Sequence, residues 1–333
     1  EGGDPLLSNA MGSDIDQMLP GIAIVILTWN QLNQTRRCLC SLVRAGYSLD
    51  RVLLWDNGST DGTDESIAHD FPAVAYHRHP TNLGVASGRN AAALLAIRRL
   101  SPTHMLFLDN DMVVTPGLVD SLCEPFAADP RMAQTLAKIR FLDAPGRLHS
   151  AGGIYVNFPQ GTMTTVGYGE DDLGQYDTST PCLPSGGATL VAVSAFQKLG
   201  GFDPTFDLYG TEDVDFAFNA RTAGYRAMYV PDAVVYHDWQ NDRSELYLQR
   251  SDFATTVQRW MILLGRHASW QQKLGFYLWG APKALIRVLM KELRRGNVAA
   301  LRGIVDGLGD VFRQATRGRR PRRRAYGAGF ETD

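Results

Sequence analysis

The chain has 333 residues, is 44% hydrophobic and 20% charged, and carries a formal net charge of −2. This is globular composition with ample length for a large core, and the near-zero balance excludes polyanion binding through bulk charge. No apolar stretch reaches the ~20 residues a membrane span requires.

The first ten residues, EGGDPLLSNA, read as an expression scar ahead of a start at Met11. GIAIVILTW (21–29) reads as a buried strand. NQTRRCLCSLVRAG follows as a helix stopped by Gly46. RVLLWDN is a second strand ending in the turn-rich DNGSTDGT, AVAYHRH a third, and GVASGRNAAALLAIRRL an Ala-rich helix. HMLFLDND is a fourth strand, PGLVDSLCEPF a helix with Pro116 near its first turn, and MAQTLAKIRFL another strand. This alternation predicts an α/β fold, a Rossmann-like, mainly parallel sheet flanked by helices. Ligands in such sheets sit beyond the carboxyl ends of the strands, where Thr28, Asn30, Asp56, Asn57, Asp109 and Asp111 fall.

Residues 142–185 are rich in Gly, Pro and Thr and read as a hairpin insertion or a substrate loop. ATLVAVSAFQKLGGF then gives a strand and short helix, EDVDFAFNARTAG a helix, and RAMYVP a strand. The pattern after Trp239 is helical. The expected division is a catalytic domain over 11–244, a helical appendage over 245–318 and a flexible basic tail over 319–333. The catalytic domain splits into a nucleotide half near 21–140 and an acceptor half near 141–244. From Lys291 onward there are eleven Lys and Arg against five Asp and Glu, a net of +6, and six of the arginines lie in RGRRPRRR. A solvated tail is the plainer reading of that run, and acidic lipid headgroups the sharper one. Cys38, Cys40, Cys123 and Cys182 lack CxxC spacing, so a structural zinc is not expected, and they read as reduced cytoplasmic thiols.

No GxGxxG, P-loop or GxSxG signature is present, so dinucleotide, P-loop and α/β-hydrolase chemistries lose their support. Four other segments can carry chemistry. Asp109-Asn110-Asp111 closes an apolar strand and offers hard oxygen ligands suited to Mg²⁺ or Mn²⁺; a helix cap or Asx turn is the plainer alternative. PDAVVYHDW delivers His237 at a strand end, where a neutral imidazole can complete a carboxylate-held metal or simply sit satisfied at an edge. LYGTEDVDF crowds Glu212, Asp213 and Asp215 into one first helical turn. The helix dipole, worth ~0.3–1 kcal/mol per exposed charge, explains one or two acids better than three. Asp213 and Asp215 cannot share a helix face, so one can enter a cleft as a general base while the other serves structure. NLGVASGRNAA places Gly84 and Gly88 where backbone could approach a ligand, and Arg89 where a guanidinium could meet a diphosphate or salt-bridge to Asp56 or Asp109.

Taken in order, these segments resemble the inverting family 2 glycosyltransferases of GT-A fold, over about 21–239. ILTWNQ is similar to the family's opening strand and nucleotide loop, and WDNGSTDGT to the signature in which Asp56 would bind the base. The resemblance implies a nucleotide and donor site of Thr28, Asn30, Asp56, Gly84, Arg89, Asp109 and Asn110. It implies metal ligands Asp111 and His237, with Asp109 beside them near the ribose, and Mn²⁺ or Mg²⁺ as cofactor. Asp213 would be the catalytic base, and Gly187, Glu212 and Trp239 would face the acceptor and donor sugar. The flavour is that of the rhamnosyltransferase-like branch, which builds bacterial cell-surface and cell-wall polysaccharides. The processive QxxRW signature is broken, with Thr256 in place of its glutamine, so single-sugar transfer is expected.

The implied reaction moves a sugar from a UDP- or dTDP-linked donor to a glycan or lipid-linked acceptor. Packing onto the catalytic domain is the first reading of the C-terminal helices. A peripheral contact with the inner face of the plasma membrane, through those helices and the basic tail, is the second. A homodimer is compatible with the sequence, and a nucleic-acid partner is not expected. The rivals are a sugar-nucleotide pyrophosphorylase and a non-catalytic nucleotide-sugar-binding protein.

Overall fold

Strand β1 (Ile22–Thr28) shows why the centre of the sheet forms. Ile22, Ile24 and Ile26 enter one core while Ala23 and Val25 enter another, so both faces are covered by helices. The computed structural model describes residues 21–207, 210–238 and 250–294, with five single positions between 302 and 313.

Helix α1 (Leu32–Arg44) follows β1, and β2 (Val52–Asp56) pairs parallel to it. Helix α2 (Thr63–Asp70) leads to β3 (Ala75–Arg78), and α3 (Val85–Leu100) to β4 (His104–Asp109), which lies parallel to β1 on its other side. Short β5 (Met112–Val114), α4 (Leu118–Ala128) and long β6 (Met132–Phe141) follow. Next come β7 (Leu148–Ser150), the hairpin β8 (Ile154–Asn157) and β9 (Thr162–Thr165), and β10 (Thr180–Pro181). Then β11 (Ala188–Ala192) runs into α5 (Val193–Leu199), and α6 (Glu212–Thr222) into β12 (Arg226–His237). The main sheet order is β10-β12-β6-β11-β4-β1-β2-β3. It is parallel apart from β11, which runs antiparallel to both β4 and β6, and the short edge pairings of β10, β5 and β7.

Leu39 and Leu42 of α1 and Leu118 and Leu122 of α4 cover one face. Ala86, Ala92, Ala93 and Ala96 of α3 cover the other, joined by Phe196 of α5 and Phe216 of α6. The small side chains let α3 lie close to the sheet.

Three expectations need correction. The fourth strand does not continue through the acidic pair: it ends at Asp109, and β5 pairs instead with β12. RAMYVP and the strand delivering His237 are one strand, in which a register shift between Val230 and Val234 absorbs Pro231, as expected for a proline inside a sheet. Helix α4 begins at Leu118, because Gly117 takes a left-handed φ of 79° ahead of it. The 142–185 segment does contain a hairpin. Its following loop is pinned by buried Lys138, whose Nζ lies 3.3 Å from Asp172 and 2.5 Å from Asp177.

Helices α7 (Arg250–His267), α8 (Trp270–Gly275) and α9 (Ala281–Arg294) follow, the last two joined by a π-helical turn over Phe276–Gly280. Leu263, Leu264 and Phe276 form one buried cluster with Phe158, Phe206, Val214 and Phe218, so α7 and α8 are fastened to the β8–β9 hairpin and α6. The expected scar, Trp239 and the basic tail lie outside the described residues.

Candidate active site

The carboxyl ends of β1, β4 and β12 and the amino end of α6 meet at one edge of the sheet. Asp111 and His237 arrive there from different strands of the sheet. Asp111 follows β4 and His237 ends β12, with Nε2 3.2 Å from Asp111 Oδ2. The β5–β12 pairing and the bond from Asp238 N–H to Asp111 carbonyl fix this approach. Asp111 Oδ1 is buried without a hydrogen-bond partner, which is costly unless something positive meets it. One carboxylate and one imidazole fit a Mg²⁺ or Mn²⁺ ion that takes its remaining ligands from water and substrate phosphate.

Asp109 does not join them. Its Oδ1 accepts from Arg89 Nη2 at 2.5 Å, and Arg89 Nη1 reaches Glu212 Oε1 at 2.6 Å. Among the described residues no three His, Cys, Asp or Glu side chains converge as a metal site. Of the expected trio, Asp111 and His237 face each other, while Asp109 is engaged by the Arg89 guanidinium. Burial opposes the charge on Arg89, but Asp109 and Glu212 outweigh it and hold its pKa above the usual value. Burial pushes Glu212 up to about 7 against the pull of Arg89, with Asp213 adding to the rise.

Asp213 and Asp215 part company as their spacing requires. Asp213, half-buried in the first turn of α6, accepts from Gly186 N–H at 3.0 Å through Oδ2 and from Val214 N–H at 2.7 Å through Oδ1. Asp215 is buried and accepts from His267 Nε2 at 2.7 Å, Arg266 Nη1 at 3.2 Å and Asn219 Nδ2 at 2.9 Å, tying α7 to α6. Thr211, just ahead of them, holds φ at 73°. This is a strained angle for a β-branched residue, of a kind that gathers near functional sites. Gly187 lies under Asp109: a Cβ there would sit 2.4 Å from Asp109 Oδ2.

Several expected donor residues face the protein instead. Asn110 is buried, its Nδ2 donating to Thr28 Oγ1 at 3.2 Å and Thr35 Oγ1 at 3.0 Å, so Asn110 and Thr28 clamp α1 to the sheet. Asp56 is fully buried, accepting from Tyr76 Oη at 2.7 Å and Ser59 N–H at 2.8 Å, bonds that shape its loop. Gly84 and Gly88 do allow close approach, but to protein: Cβ atoms there would meet Asp207 and Leu27. Exposed Asn30, at φ 52°, accepts from Thr60 N–H at 2.7 Å and stands beside half-exposed Trp29 at the mouth of β1.

No sequence pattern singles out His149. Its ring lies 4.5 Å from that of His237, edge to face, and it also meets Phe141 and exposed Tyr168. Burial, with His237 adding to it, lowers its pKa to about 4, so a neutral aromatic wall adjoins the Asp111–His237 pair. Gly186 and Asp207, which accepts from Ser87 N–H at 2.6 Å, were likewise silent in sequence.

The model of the family described as "Glycosyltransferase like family 2" matches residues 20–261. The chain belongs to glycosyltransferase family 2. An N-acetylglucosaminyl-diphospho-decaprenol L-rhamnosyltransferase of Mycobacterium tuberculosis is 29% identical over 236 residues, 65% of this chain and 75% of that relative. N-acetylgalactosaminyltransferase 4 of Drosophila melanogaster is 25% identical over 239 residues, 66% of this chain and 35% of the relative. Among solved structures, GalNAc-T7 with UDP, GalNAc and Mn²⁺ matches at TM-score 0.57 and 18% identity, over 74% of this chain and 48% of that one. A Pyrobaculum calidifontis mannosyltransferase with GDP-Man and Mn²⁺ matches at TM-score 0.51 and 17% identity, over 95% of this chain and 81% of that one. These likenesses establish the GT-A fold. With the family shown, the glycosyltransferase is an enzyme, and the pyrophosphorylase and non-catalytic readings fall away.

Proposed function

We propose that this glycosyltransferase moves one sugar, with inversion, from a nucleoside-diphosphate donor to a hydroxyl of a lipid-linked glycan. The observation that carries the reading is Asp111: one oxygen faces His237 and the other is buried without a partner. Asp111 and His237 would hold the divalent ion. When bound, that ion supplies positive charge where the leaving diphosphate becomes more negative. Asp213, its Oδ2 oriented by Gly186 N–H, accepts the acceptor hydroxyl proton as that oxygen attacks the anomeric carbon. The new C–O bond forms on the face opposite the breaking C–O bond to the diphosphate, so a single displacement inverts the configuration. Arg89 pairs with both Asp109 and Glu212 and so ties α3, β4 and α6 together beside the site.

The comparisons support the substrate class by what their names say. The rhamnosyltransferase relative names a lipid-diphosphate acceptor, and both solved neighbours carry a nucleotide or nucleotide sugar with Mn²⁺. UDP and dTDP are the expected donor nucleotides. A peripheral place on the membrane where a lipid-linked acceptor resides belongs to the same reading.

The test is thermal unfolding with UDP, dTDP, GDP and CDP, each with and without Mn²⁺. A nucleotide at about 100 times its Kd stabilises the folded state by roughly 2.7 kcal/mol. A metal-dependent shift with UDP or dTDP that disappears in Asp111→Ala is the expected result. The reading fails if no nucleotide shifts the transition, or if Asp111→Ala responds like the parent.

A further inference from the structure

Residues 270–290 carry an apolar surface that the rest of the described protein leaves uncovered. Trp270, Leu278, Trp279 and Ile286 are each at least 60% exposed, and Tyr277 and Leu274 are more than half exposed. The element is firmly held from behind. Phe276 is buried against Phe158, Phe218 and Leu263, and Gly280 lies so close to the hairpin that a Cβ would sit 2.4 Å from the Pro159 carbonyl. The outward face is therefore presented by a packed element.

Its composition states what would cover it. From Trp270 to Met290 there is no Asp or Glu, while Lys273, Lys283 and Arg287 are present, and Lys283 and Arg287 are exposed. Tryptophan and tyrosine beside leucine and isoleucine, edged by cations, suit the boundary between headgroups and acyl chains. No described helix is long and apolar enough to cross a membrane, so the element would lie along it. A second copy of the chain fits less well. A two-fold contact through this face would set Lys283 and Arg287 of each copy together with no acid in the patch to pair with them. The RGRRPRRR run further along the sequence adds charge of the same sign.

We propose that residues 270–290 dock the enzyme in the plane of an anionic lipid surface. This rests on the lipid-linked acceptor reading and names the surface that serves it. It also says which half of the enzyme faces the lipid: Phe276 shares its core with Val214 and Phe218 of α6, the helix whose first turn carries Asp213.

The experiment is flotation of the full chain with phosphatidylcholine vesicles and with vesicles containing 30% phosphatidylglycerol, without donor or metal. Binding to the anionic vesicles alone is expected, with a blue shift of tryptophan emission and quenching by brominated lipid. The variant L278S/W279S/I286S should weaken partitioning on the order of tenfold or more, as loss of buried apolar area demands. K283E/R287E, which leaves every apolar residue in place, should weaken it as well. Replacing the six arginines of 317–324 with serine tests the tail separately.

Absence of anionic-vesicle binding by the parent would overturn the proposal. So would full binding by L278S/W279S/I286S with loss only in the tail variant, or a parent dimer that this triple variant turns into a monomer. Transfer to a water-soluble acceptor should be unchanged in the triple variant. Failure of docking and failure of the transfer reading are thus seen in different readouts.

Discussion

Asp215→Asn and Asp213→Asn remove the same charge two residues apart and should have opposite consequences. Asp215 is buried and holds His267 and Arg266. Arg266 keeps a second partner in Asp203 at 2.9 Å, so it is not stranded. His267 loses its carboxylate, and one charge-assisted bond of about 1.5–3 kcal/mol goes with it. The expected loss is about 2–3 kcal/mol, lowering Tm by roughly 4–10 °C. Because the lost bond joins α6 to α7, the change should be structural, with KM for the donor unaltered below the new Tm. Asp213 is half-buried and accepts one backbone N–H on each oxygen; the amide oxygen of Asn can keep one of these bonds, while its NH2 cannot accept the other. Asp213→Asn, losing one neutral-donor bond of about 1 kcal/mol, should lower Tm by roughly 2–4 °C, less than Asp215→Asn, yet cut kcat at least 100-fold, the lower range for loss of a general base. Differential scanning calorimetry and donor turnover on the two variants read both quantities. Full turnover in Asp213→Asn, or an undisturbed Tm in Asp215→Asn, would refute the division of labour.

Gly187→Ala should drive its new methyl into Asp109, cost about 1–3 kcal/mol by overpacking and lower kcat/KM by at least about tenfold, whereas Gly265→Ala, with nothing near it, should be neutral or slightly stabilising. Equal behaviour of the two in activity and melting assays would remove the role given to the Gly187–Asp109 contact. Thr211→Gly should relieve backbone strain and raise stability by about 1 kcal/mol in chemical denaturation, and a fall would show that φ 73° is not strained there. Glu212 gives a pH signature. Its folded carboxyl, raised to about 7 by burial, holds a proton that the unfolded chain releases near ~4.3. Its contribution is complete below that lower value and is lost as pH rises to about 7. Glu212→Gln should flatten stability across that window, and an unchanged slope in urea titrations would contradict the assignment.

Much of the sheet was legible because most of its strands are short apolar runs bounded by turn residues, and its helices carry Ala- or Leu-rich faces. The alternation placed the first four strands and the acidic turn after the fourth to within a few residues. What escaped was long-range. Pro231 reads as a break, yet β12 passes it with a shift of register because β6 continues to pair on both sides. Thr28, Asp56 and Asn110 stand at strand ends and read as ligand contacts, yet each also carries a bond within the protein, to Thr35 or Tyr76, that no local pattern shows. His149 sits in a three-residue strand, too short for any period to show, and only the fold sets it against His237. The separate fates of Asp213 and Asp215 could be anticipated from helical geometry, though not which of them would find Arg266.

The antiparallel strand β11 bears on how this enzyme could be recombined with its relatives. A junction near residue 140 looks natural in sequence, between donor-side and acceptor-side motifs. In the sheet, however, β6 ends at Phe141, and its partners β7, β11 and β12 all come later in the chain. A chimera joined there would ask one parent's strand to fit three neighbours from the other. A junction between β4 and β5 would sever only the β4–β11 ladder, but it would run through Asn110 and divide Asp109 from Asp111. Exchange of acceptor preference is therefore better attempted by grafting loops onto an intact sheet than by swapping halves.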